Sequence, residues 1–99
     1  MYTKGEGVLK DSVEAVKWYR KSAEQGNALA QFGLGFMYDK GEDVLKDEVE
    51  AYAWSLHAAI NGISELKNML EKKIDGNVRF AGQQRAKELQ AIIEKNKKQ

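Results

Sequence analysis

Apolar positions recur every three or four residues along most of the chain, broken by short polar or glycine-bearing segments, and that spacing predicts helices rather than strands. The first expected helix runs from Asp11 to about Gln25, with Ala15, Trp18, Tyr19, Ser22 and Ala23 on one face and Lys17, Arg20, Lys21 and Glu24 largely on the other. Asp11 and Glu14 are spaced as a capping box that would open it. A second helix is expected from about Ala28 to Asp39, capped by Asn27, with Ala30, Leu34 and Tyr38 as its buried stripe. Asp47 and Glu50 form a second capping box before a helix reaching about Asn61, with Ala51, Trp54, Ser55, Ala58 and Ala59 inward. Leu66, Leu70 and Ile74 mark a fourth helix over 65–74, with Ser64 as its cap. After a turn at 75–77, where Asn77 is the expected cap, Val78, Ala86, Leu89, Ile92 and Ile93 mark a fifth over 78–95. Residues 3–10 and 40–46 read as loops, and 96–99 as a frayed tail.

The same pattern occurs twice at an offset of 36 residues. Trp18 matches Trp54, Val8-Leu9-Lys10-Asp11 matches Val44-Leu45-Lys46-Asp47, and Gly26 matches Gly62. Of 26 aligned positions in 1–26 and 37–62, 15 are identical. A period of this length predicts stacked helix pairs, each unable to bury its apolar face alone. Gly26 and Gly62 are expected as left-handed residues just past a helix end. Gly33 and Gly35, inside a helix, predict close approach by a neighbouring one.

Composition narrows the function more than the fold. The chain has 99 residues, so one domain is expected. Its net charge of +1, with both signs mixed, provides no electrostatic case for nucleic acid or an acidic membrane. Cysteine is absent, which excludes thiol chemistry and Cys-ligated zinc. No apolar run approaches the roughly 18 residues needed to cross a bilayer. The N-terminal residues show no signal-peptide hydrophobic region, so a cytoplasmic location is expected.

No catalytic constellation stands out. His57 is the only histidine; helical spacing puts Ala53, Ile60 and Asn61 beside it, which suits a surface or half-buried helix residue better than a base or a ligand. Asp11 and Asp47 are accounted for as caps, and Trp18 and Trp54 as core residues. Gly5-Glu6-Gly7-Val8 is too short for a phosphate loop. Neither a cofactor nor a metal is expected.

Ala30-Gln31-Phe32-Gly33-Leu34-Gly35-Phe36-Met37-Tyr38, followed by Gly41, Val44, Asp47, Ala51, Trp54 and Ala58-Ala59, resembles the Sel-1-like repeat family, a solenoid family related to tetratricopeptide repeats. Residues 1–26 are similar to the second half of a unit, 27–62 to a whole one, and 63–95 to a degenerate C-terminal capping unit. Asp43 stands where the motif has glycine, and the first half-unit lacks its leading helix. The resemblance implies an all-α fold: a short right-handed solenoid of antiparallel helix pairs. It also implies a non-catalytic scaffold or adaptor that binds another protein on its concave face. The expected contacts are Gln31, Phe32, Phe36, Asp39 and Lys67, of which Gln31 and Lys67 are equivalent positions. Leu34, Tyr38, Trp18, Trp54, Asp11, Asp47, Gly26 and Gly62 are expected to build the core and the helix ends. One rival is a hydrolase like certain cysteine-rich relatives, whose cysteines this chain lacks. Another is a self-associating fragment of a longer repeat protein. Part of the face carrying Ala15, Trp18, Tyr19 and Ser22 is expected to be uncovered, which would suit a homodimer through the N-terminal end.

Overall fold

A computed structural model describes residues 6–97 and, in the first helix, side chains from Val13 onward. The described chain is all α-helical: α1 Glu6–Glu24, α2 Ala28–Lys40, α3 Glu48–Ile60, α4 Glu65–Glu71 and α5 Gly76–Lys97. The molecule measures 40 × 36 × 20 Å, and its shortest dimension corresponds to two layers of helices roughly 10 Å across.

Side-chain caps start three of the helices. Asn27 Oδ1 accepts the Ala30 N–H at 2.8 Å, Asp47 Oδ1 accepts that of Glu50 at 3.1 Å, and Asp75 Oδ1 accepts that of Val78 at 2.9 Å. The repeat glycines close the ends of α1 and α3. Gly26 has φ +94° and Gly62 φ +109°. Beyond them, the Asn27 N–H reaches back to Ser22 O and that of Ile63 to Ala58 O. These are Schellman motifs, which satisfy carbonyls that the helix leaves unpaired.

Several local expectations are corrected. Of the segment 3–10, expected as a loop, residues 3–5 lie outside the described residues and 6–10 are helical. Asp11 is therefore inside α1 and does not cap it. Ser64 makes no side-chain cap bond, and Asp75 caps α5 in place of Asn77. Helix α4 stops three residues before Ile74, because the Lys73 and Ile74 N–H groups both turn onto Leu70 O. The expected tail is partly helical: α5 continues to Lys97, and Asn96 Nδ2 donates to Glu24 O at 3.0 Å, closing the end of α1. Residues 98–99 lie outside the described residues.

Helices α2 and α3 form the central antiparallel pair; Tyr38 meets Asp47 at one end and Gln31 meets Asn61 at the other. Gly35 permits this closeness. A Cβ there would lie 2.8 Å from Leu66 Cδ2 and 3.2 Å from Ala51 O. Helix α5 lies along α3, with Gly82 under the Tyr52 ring. One buried cluster joins Ala23, Ala30, Leu34, Met37, Ala53, Trp54, Leu89 and Ile93, with Tyr38 packed at its edge. A second joins Ala51, Tyr52, Leu66, Leu70 and Ile74. Trp54 is fully buried, and its indole Nε1 has no hydrogen-bond partner.

Candidate functional site

The expected contact residues divide by helical row. Gln31, Gly35 and Asp39 repeat every four residues on α2, and all three are buried. Phe32 and Phe36 form the next row outward. Gln31 and Asp39 are thus corrected from surface contacts to interior polar groups. The Gln31 amide donates to Ala23 O at 3.0 Å and accepts from Asn61 Nδ2 at 3.1 Å, tying the ends of α1 and α3 to α2. Asp39 is buried in the last turn of α2, where the helix dipole disfavours an anion. Lys73 approaches from a half-exposed position, with Nζ 2.8 Å from Oδ1. That contact lies off hydrogen-bonding angles, so charge rather than a directed bond holds the pair.

The phenylalanine rings stack, 6.5 Å apart with their planes 21° from parallel. Phe32 leans on the second apolar cluster, while Phe36 is partly exposed. Lys40 Nζ lies 5.6 Å from the Phe36 ring centroid, within cation–π range. The positions 36 residues on, Asn68 and Lys72, are both exposed on or beside α4.

Lys67 is half-buried and occupied within the chain, with Nζ 3.1 Å from Glu71 Oε2. That oxygen also accepts the Tyr52 hydroxyl at 2.7 Å. Burial, then the bond to Glu71, pushes the Tyr52 hydroxyl up to about 12. The bond from Tyr52, then that from Lys67, holds the Glu71 carboxyl below its ordinary value. Gln31 and Lys67 therefore do not share one exposed line, because the first is interior and the second is an edge residue of this network.

Trp18, expected in the core, is 71% exposed and is corrected to a surface residue. The repeat explains why the sequence suggested otherwise. Trp54 is sealed with the help of Leu89 and Ile93 from α5, and no described helix covers Trp18 in that way. Leu29, which sequence reasoning did not single out, is 68% exposed beside it. Ala15, Trp18, Tyr19, Ser22, Leu29 and Ala30 line an apolar groove between α1 and α2. A second groove on the other side of Trp18 is lined by Glu14, Lys17, Lys21, Ser22 and Gln25. The offset comparison carried a signal of this surface, since Lys17 and Lys21 stand where the second unit has Ala53 and His57.

His57 is also corrected. Expected at the surface or half-buried, it is buried, tilted against Trp54, and its Nε2–H donates to Ala86 O at 2.9 Å, joining α3 to α5. Among the described residues no group of three or more His, Asp or Glu side chains could hold a metal ion, and no helix is long and apolar enough to cross a membrane.

Residues 1–27 and 28–63 each match the family model described as Sel1 repeat. No curated protein and no solved structure matches the chain.

Proposed function

The chain belongs to the Sel1 repeat family, and on that premise we propose that it is a non-catalytic scaffold or adaptor module that takes a protein partner on α2 and α4. Sel1 repeats generally mediate protein–protein interaction, and the family is typically non-catalytic. The observation that carries the reading is the Phe32–Phe36 stack, an aromatic strip left partly open on a helix whose neighbouring row is fully buried. Aromatic side chains are enriched among residues that dominate binding energy. Lys40 beside Phe36, and Lys72 at the equivalent position one unit on, suit a partner that offers an apolar anchor with acidic neighbours. Lys67 stands at the edge of this surface; Gln31 and Asp39 support it from inside.

Phe36→Ser is the discriminating variant, because Phe36 is partly exposed and its loss leaves the core intact. A protein partner recovered in stoichiometric amount by the native chain should be lost by Phe36→Ser. It should be retained by Phe80→Ser, a control at a more exposed phenylalanine on α5. Both variants should unfold near the native temperature. Retention of the partner by Phe36→Ser would place the binding surface elsewhere.

A second reading is favoured by the exposure of Trp18 and Leu29: contact between two copies of the chain through the α1 end. An apolar surface of this kind is more often covered than left in water.

A further inference from the structure

We infer that two copies pair through α1, antiparallel about a two-fold axis beside Trp18, with Glu14 of each copy facing Lys21 of the other. The inference rests on the second reading above and adds the partner's orientation and contacts. Glu14, Trp18 and Lys21 follow one another at spacings of four and three residues, so they form a single stripe along α1, with Gln25 just beyond its end. Glu14, Lys17, Trp18 and Lys21 are all exposed. Glu14 and Lys21 are seven residues apart, about 10 Å along the axis, and the level midway between them is that of Lys17 and Trp18.

A stripe with an anion at one end, a cation at the other and a large aromatic at its centre matches its own reverse. In an isologous contact, if residue i meets residue j, then j meets i. Antiparallel pairing about that midpoint therefore makes two Glu14–Lys21 ion pairs. It also brings Lys17 of each copy to the Trp18 ring of the other, where a cation–π contact is available. A parallel arrangement in register would set Glu14 against Glu14 and Lys21 against Lys21. The chain's net charge of +1 puts little overall repulsion in the way of self-association.

The repeat indicates that such a face is built for burial. The equivalents of Ala15, Trp18, Tyr19 and Ser22 one unit on are Ala51, Trp54, Ser55 and Ala58, and every one of them is fully buried. In the first unit Ala15 and Trp18 are retained and Tyr19 replaces a serine, while the flank carries Lys17, Lys21 and Gln25 where the second unit has Ala53, His57 and Asn61. An apolar centre with a charged margin is the usual anatomy of a contact between separately folded molecules.

The test is sedimentation or size exclusion with light scattering, over a wide range of concentrations, on the native chain and on charge variants. The native chain should dimerise, and Trp18→Ser should weaken the dimer strongly with the helical content unchanged. Glu14→Lys and Lys21→Glu should each weaken it by at least about tenfold, since each replaces two attractions by two repulsions. The double variant Glu14→Lys/Lys21→Glu should return close to the native dissociation constant. Mixing the two single variants should produce a heterodimer, because one chain then carries cations at both positions and the other carries anions at both. A dimer that Trp18→Ser abolishes but that is indifferent to all charge variants would overturn the antiparallel pairing while leaving the second reading in place. A native chain that stays monomeric throughout, or a dimer untouched by Trp18→Ser, would overturn both.

Discussion

Tyr52 shows how one residue can join packing to pH dependence. Its ring fills the space above Gly82, and its hydroxyl donates to Glu71 beside Lys67. Tyr52→Phe keeps the ring and removes the charge-assisted bond, for an expected loss of about 1–2 kcal/mol near neutral pH. The Glu71 carboxyl is lowered by folding, so its contribution is present above its ordinary 4.5 and is lost as pH falls. The Tyr52 hydroxyl is raised to about 12, so its contribution is complete below its ordinary 10.0 and is lost as pH rises toward 12. The gap between native and variant urea midpoints should therefore be widest at intermediate pH and narrow at both extremes. An equal gap at pH 3 and pH 7 would contradict this assignment. The two tryptophans mark the limit of reasoning residue by residue. They hold identical places in the repeat, yet Trp54 is sealed and Trp18 stands in solvent. Their local sequences differ only in the flank, Lys17 and Lys21 against Ala53 and His57, and the cover itself is not local, because that over Trp54 includes Leu89 and Ile93, at least 35 residues further along the chain.

At the scale of elements, the helix count, the α2 and α3 stripes and the glycine helix ends were legible, because periodicity and capping are local properties. The start of α1 was not. Gly41–Lys46 is non-helical because Gly41 ends α2 in the left-handed region and the Asp47 N–H is held by Tyr38 O. Those constraints come from tertiary context. The Glu6–Lys10 segment, identical to Glu42–Lys46 except for Gly7 in place of Asp43, is helical, so helix propensity does not separate the two. Inner and outer rows of α2 were likewise hard to separate from spacing alone. Gln31 and Asp39 are polar residues on a buried row, and only their partners Ala23, Asn61 and Lys73 explain them. Gly35 was readable as a contact point, and the structure identifies Ala51 and Leu66 as what it touches. Gly35→Ala should gain helix propensity yet destabilise by about 1–3 kcal/mol, since the added methyl meets backbone on one side and a packed leucine on the other. Gly33→Ala, whose new methyl would meet only the half-exposed Tyr19 ring, should cost less. Thermal or urea unfolding of the two variants side by side checks the order; a costlier Gly33→Ala would reverse the packing assignment.

For the whole molecule, the informative contact is the one between its most distant described helices. Asn96 holds the Glu24 carbonyl across 72 residues of sequence, and Lys97 lies against Gly26. Helical repeat arrays usually behave as one-dimensional lattices, in which each unit feels only its neighbours and melting can begin at either terminus. Here the last helix returns to the first, so the lattice is closed into a loop of couplings. The expected consequence is a single cooperative transition with no stable partly melted form. Two single-tryptophan variants, Trp18→Phe and Trp54→Phe, would each leave one reporter, at the centre and at the edge respectively. Each variant's fluorescence transition should coincide with its own loss of helical signal, and truncation before Ile93 should split them. Helix α5 thus sets the size of the unit that unfolds: with it in place, the repeats rise and fall together.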